Sequence, residues 1–189
     1  MKKFLLASIA AFFLFLIPQP AAAVEDPDNA GTIIAGIHFG PDFVVGMSSG
    51  LTLGPAIYLT GDYVLVDSWW IGHLTAGVAL GGTYVGPINM SSGVETRSNY
   101  FIAARSTYGI NFTDRLEFHI GLVAGPYLHY DQVVNNDGSL KYANPRCIQF
   151  ELGGIFGSRF SINDRLGLSA EFNTAEFQPL LSLGVFYKL

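Results

Sequence analysis

Apolar and polar side chains alternate with period two over most of the chain. In its last ten residues Leu181, Leu183, Val185, Tyr187 and Leu189 share one face of a strand, and Leu180, Ser182, Gly184, Phe186 and Lys188 share the other. The same rhythm predicts eight strands, over 31–39, 51–66, 69–85, 98–112, 115–130, 147–161, 165–173 and 180–189. Each is long enough to cross a band about 25 Å tall at the usual barrel tilt, which takes about 9–11 residues. Connections alternate in length. Segments 40–50, 86–97 and 131–146 are long and rich in Gly, Ser, Asn and Asp, and 174–179 is shorter. Tight turns are expected at Val66-Asp67-Ser68, Thr113-Asp114-Arg115 and Asn163-Asp164-Arg165, each with an Asp placed to accept backbone hydrogen bonds. The last two turns form a weak internal repeat, Asn111–Leu116 against Ser161–Leu166. An even strand number puts both termini at the short-turn end. Pro cannot donate to a ladder, so Pro55 and Pro126 imply bulges or strand ends.

Fixing each strand's phase by its apolar residues leaves the charges on the opposite face. Leu116, Phe118, Ile120, Leu122 and Leu128 oppose Arg115, Glu117, His119 and His129. Ile148, Phe150, Leu152, Phe156 and Phe160 oppose Glu151 and Arg159, and Leu166, Leu168 and Phe172 oppose Arg165 and Glu171. His38, Asp62, His73, Arg105 and Lys188 join the polar face from the remaining strands. The lumen of an eight-stranded barrel is just wide enough for side chains to fill it. These thirteen residues are therefore expected to form a polar, salt-bridged plug. Tyr63, Trp70, Tyr84, Tyr100, Phe112, Phe160 and Tyr187 fall near strand ends on the apolar side, where aromatic girdles sit.

Composition narrows the setting. Half the residues are hydrophobic, only 13% are charged, and mean hydropathy is +0.36, yet no run after the N-terminus could form a membrane helix. The N-terminus reads as a secretion signal: Lys2 and Lys3, an apolar Phe4–Ile17, then Ala21-Ala22-Ala23, with removal expected near Ala23. That leaves one barrel domain over 24–189, with 8 basic residues against 15 acidic and a net charge of −7. No basic stripe exists, which argues against nucleic acid. Cys147 is the single cysteine, so no intramolecular disulfide can form.

The whole mature chain resembles, in pattern, the small Gram-negative outer-membrane barrels of the OmpA/OmpX/opacity-protein type. The alternation of 180–189 and the antepenultimate Tyr187 carry the resemblance, while Leu189 departs from the aromatic residue usual at the end. It implies an all-β, antiparallel, up-and-down transmembrane barrel integral to the outer membrane, in contact with its lipid and lipopolysaccharide. It also implies insertion by the barrel-assembly machinery through 180–189.

No catalytic, cofactor or metal set stands out. His38 and His129 lie toward the long-loop rim with Asp42, Asp131, Ser48 and Ser49 nearby, but a Ser/His/acid site needs contacts that spacing does not supply. A lipid A-modifying enzyme, a narrow channel and a soluble lipocalin-like barrel are the competing readings. The expected role is non-enzymatic: envelope structure, or surface binding through loops 86–97 and 131–146.

Overall fold

Nine strands account for nearly every described residue of the computed structural model, which covers 30–46, 50–90, 93–135, 139–145 and 148–189. The expected signal, Ser48, Ser49 and Cys147 lie outside these residues. The strands are β1 (Ile33–Gly46), β2 (Gly50–Trp69), β3 (Gly72–Met90), β4 (Gly93–Asn111), β5 (Leu116–Val134), β6 (Leu140–Pro145), β7 (Gln149–Ser161), β8 (Leu166–Asn173) and β9 (Leu181–Lys188). All pairings are antiparallel, and apart from β6 and β7 each strand pairs with its neighbour in sequence. The β1–β9 and β4–β5 pairings close the ring. β6 and β7 together make one stave, because the upper part of β5 pairs with β6 and Leu116–Tyr127 with β7. The result is an eight-stranded, closed, up-and-down barrel.

Alternation alone leaves open which face is inside, and burial decides it. Asp62, Arg105 and Glu171 are 1–3% exposed, whereas Leu122, Phe156 and Leu183 are 51–64% exposed. Charges fill the lumen and an apolar belt faces out. All seven girdle aromatics named above are exposed. A soluble lipocalin-like barrel needs the reverse arrangement, so the surface is one that hydrocarbon covers.

Three expectations about connections need correction. The described parts of segments 40–50, 86–97 and 131–146 are not open loops. β1, β2, β3, β4 and β5 run on through them, and pairs such as Asp42↔Gly54, Asn89↔Val94 and Asp131↔Asn144 continue the ladders. A hairpin standing clear of the membrane has no face to bury, so it needs no alternation and its polar composition hides the strand. The first short turn lies at Trp70-Ile71 rather than 66–68. Irregularities between Val64 and Val66 and between Val66 and Trp69 lengthen β2, and Trp70 takes φ 65°. The 112–115 and 162–165 turns stand where expected, but the capping groups are Thr113 and Asn163, not the Asp residues. Thr113 Oγ1 accepts from the Leu116 N–H at 3.0 Å, and Asn163 Oδ1 from the Leu166 N–H at 2.8 Å.

The prolines interrupt the sheet as expected. The β2–β3 ladder ends just below Pro55, at Ala56↔Thr83, and the β4–β5 ladder skips from Phe101↔Tyr127 to Ala104↔Ala124 opposite Pro126. Residues 30 and 189 both lie with the short turns, tied by the Leu189 N–H to the Ile33 carbonyl at 2.8 Å.

Candidate functional site: the lumen and its mouth

Inward positions on five staves deliver a closed ring of charges across the lumen. Glu171 on β8 receives Arg105 of β4 through two contacts, at 2.7 and 3.3 Å. Arg105 Nε lies 3.0 Å from Asp62 on β2, whose other oxygen accepts from Arg159 of β7 at 2.9 Å. Arg159 also donates to Glu117 of β5 at 3.1 Å. His119 completes the circuit, 3.5 Å from Glu117 and 3.4 Å from Glu171, and His73 adds a 3.7 Å contact to Glu117. Every member is almost wholly buried. From Glu171 through Arg105, Asp62 and Arg159 to Glu117, carboxylates and guanidiniums alternate, so neither guanidinium is left facing apolar wall, the condition under which buried ions are tolerated.

Small inward residues make room for these side chains. A methyl on Gly109 would fall 2.5 Å from His73 and 2.8 Å from Glu117, and one on Gly157 would collide with His119. Tyr58 links the ring to the rest of the lumen. Its hydroxyl donates to Glu171 at 3.0 Å, lies 2.6 Å from the Ser182 hydroxyl, and accepts from Asn173 at 3.4 Å. His38 stacks on the Tyr58 ring at 4.6 Å and contacts Thr60 Oγ1 at 3.2 Å. His38 thus sits deep in the lumen rather than at the rim.

Of the thirteen expected plug residues, the structure brings eight together: His38, Asp62, His73, Arg105, Glu117, His119, Arg159 and Glu171. Three others lie toward the ends of the lumen. His129 is at the mouth. Glu151 is half-buried near it, accepting the Glu176 N–H at 2.9 Å. Lys188 is near the short-turn end, its ammonium 5.8 Å from the Phe186 ring centre. Arg115 and Arg165 are corrections. Both occupy the four-residue turns and are exposed, because the strands begin one residue later. Arg165 bonds the Tyr187 hydroxyl at 3.5 Å, which holds its guanidinium above its ordinary, already high, value.

A second layer lies toward the mouth and is not ionic. The short connection expected over 174–179 spans 174–180 and turns inward. Phe177 is fully buried, 4.9 Å from the Phe101 ring and 5.7 Å from that of Tyr127. With Tyr58, Ala79, Val123 and Ile155 it forms an apolar stopper above the charge ring. Phe177-Gln178-Pro179 was the available signal: an aromatic residue inside a polar connection has to go somewhere.

Above the stopper the mouth is polar. Asn99 donates to Thr83 at 3.2 Å, and its carbonyl oxygen lies 2.6 Å from His129 Nδ1. His129 Nε2 lies 2.8 Å from Asp131, and Arg97 reaches Glu95 at 2.7 Å and Asp131 at 3.8 Å. His129 therefore has an acid partner, but an amide occupies the place a nucleophilic hydroxyl would need, and His38 is engaged elsewhere. Between this wall and the 174–180 segment lies an open cavity of about 420 Å³.

A closed eight-stranded ring, a greasy exterior, a filled lumen and short turns at the terminal end form one architecture. The fold is that of a small bacterial outer-membrane barrel. The attachment invasion locus protein Ail of Yersinia pestis superposes with a TM-score of 0.55 at 13% identity, covering 84% of this chain and 95% of Ail. A second structure of Ail, in complex with the heparin analogue sucrose octasulfate, gives 0.51 at 10% identity, with the same coverage of both chains. Neisserial surface protein A gives 0.50 at 15%, covering 84% of this chain and 94% of that one. No family model and no curated protein matches the sequence. At such identities the likeness speaks for the barrel alone, not for the ligands of its loops.

Proposed function

We propose that the protein resides in the outer membrane as a sealed barrel and works at the surface through its long hairpins, not as a conduit or an enzyme. The observation that carries this reading is the filled lumen: a charge ring and, above it, a stopper centred on Phe177. Strands β2 to β5 have 19 or 20 residues, about twice what the hydrocarbon band requires, so their upper halves stand clear of it. Exposed, rigidly supported hairpins are where binding residues concentrate. The apolar belt and its aromatic girdles suit contact with lipid and lipopolysaccharide. The outward Leu181, Leu183, Val185 and Tyr187 suit recognition of 180–189 by the assembly machinery, after a signal removed near Ala23.

Purified protein in planar bilayers is expected to give no steady current, and steady open-channel currents would overturn the sealed reading. Replacing the 86–97 tip by a short turn is expected to reduce cell adhesion without changing the amount of folded barrel. Unchanged adhesion counts against that hairpin as a binding element.

A further inference from the structure

The cavity at the mouth has the chemistry of a ligand site, and we propose that it binds a neutral saccharide unit of one or two rings. This deepens the surface-binding reading above and rests on it for the side the mouth faces. Its volume, about 420 Å³, falls in the range of small-molecule sites. One wall is preorganised: Asn99 is held between Thr83 and His129, and His129 Nε2 lies 2.8 Å from Asp131. The opposite wall is the inserted segment, where polar capacity goes unused by the fold. Both amide atoms of Gln178 lack a partner although the residue is 3% exposed, and so does the carbonyl oxygen of the 1% exposed Asn173. Buried amides without partners cost stability and call for an explanation. Both residues line the cavity, beside apolar Val85 and Leu180, and their shielded amide atoms meet a ligand once the amides turn toward it.

The class of ligand follows from the mixture. Amide and hydroxyl groups that both donate and accept match the paired hydroxyls of a sugar, and the apolar side chains match its C–H face. Charge argues against an anion. The one guanidinium among the lining residues, Arg97, is already engaged by Glu95 and Asp131, while Asp42 and Glu176 add negative charge to the lining. A sulfated sugar is therefore disfavoured here.

The test is saturation-transfer NMR on the mature chain in a detergent without sugar head groups, with lactose and maltose at ~10 mM, well above the ~1 mM Kd of a weak site. A neutral disaccharide is expected to show transfer and sucrose octasulfate none. Leu180→Trp, a half-exposed position, fills the cavity and is expected to weaken binding about tenfold or more while the heat-modifiable gel shift of the folded barrel persists. Glu176→Arg, at an exposed position, is expected to let sucrose octasulfate bind. No transfer from either disaccharide overturns the proposal. So does transfer that survives Leu180→Trp, and so does a wild-type response confined to the octasulfate or to a cationic amine such as spermidine. A barrel that binds disaccharide in detergent yet supports no cell adhesion would remove the surface-binding role and leave the site standing.

Discussion

The two layers of the lumen close the barrel by opposite means. The charge ring depends on completeness: Asp62, Arg105, Glu117, Arg159 and Glu171 are tolerable in a dry interior only because each meets a partner. The stopper depends on volume, since Phe177, Phe101 and Tyr127 hold by shape and by exclusion from water. Loss of one member is thus a loss of balance in the first layer and a loss of filling in the second. A cavity can partly collapse, whereas an orphaned carboxylate must take up a proton or stay buried without a counter-charge.

Arg105→Ala sharpens the contrast most. It leaves Glu171 without a guanidinium and Asp62 with Arg159 alone, and is expected to destabilise the folded barrel by about 3–5 kcal/mol, read from urea unfolding in detergent by the gel shift. Arg105→Lys should recover only part of this, because an ammonium cannot reproduce the fork that spans both carboxylates. On the outer wall, Leu122→Arg places a cation against hydrocarbon and is expected to cost about 2–4 kcal/mol in lipid. Phe177→Ala is expected to cost about 3 kcal/mol, at the low end for a buried Phe because the 174–180 segment can settle. Its bilayer conductance should stay at baseline, since the ring beneath is intact; steady current in this variant would show that the stopper alone seals the lumen. Arg115→Ala, out in a turn, should fall within about 0.5 kcal/mol of wild type. A larger loss there would place Arg115 among the structural charges after all.

Much of this was legible because period-two patterning records one fact well: which residues share a face. Strand number, the closed up-and-down order, the outward Leu and Phe stripes and most of the charge ring follow from it. It records strand ends poorly. Arg115 and Arg165 have the right parity for the lumen, yet the chain is still turning when it reaches them. Parity is likewise silent where both faces of a hairpin are wet, so the upper half of β1 and the upper ends of β3, β4 and β5 read as loops. The inward fold of 174–180 was hidden for another reason. A short connection between two strands, expected over 174–179, suggests nothing unusual, and Phe177 is the one aromatic side chain in it to mark an apolar side to bury.

Gly109 and Gly157 carry no functional group, and neither enters any ionic contact. Each nonetheless stands where a single added carbon would run into a histidine ring of the lumen, and at Gly157 into the Ala170 carbonyl as well. The barrel's least elaborate positions are therefore among its least replaceable. A search for tolerated change in this chain should find more freedom at the charged tips of its turns than at these bare points of the inner wall.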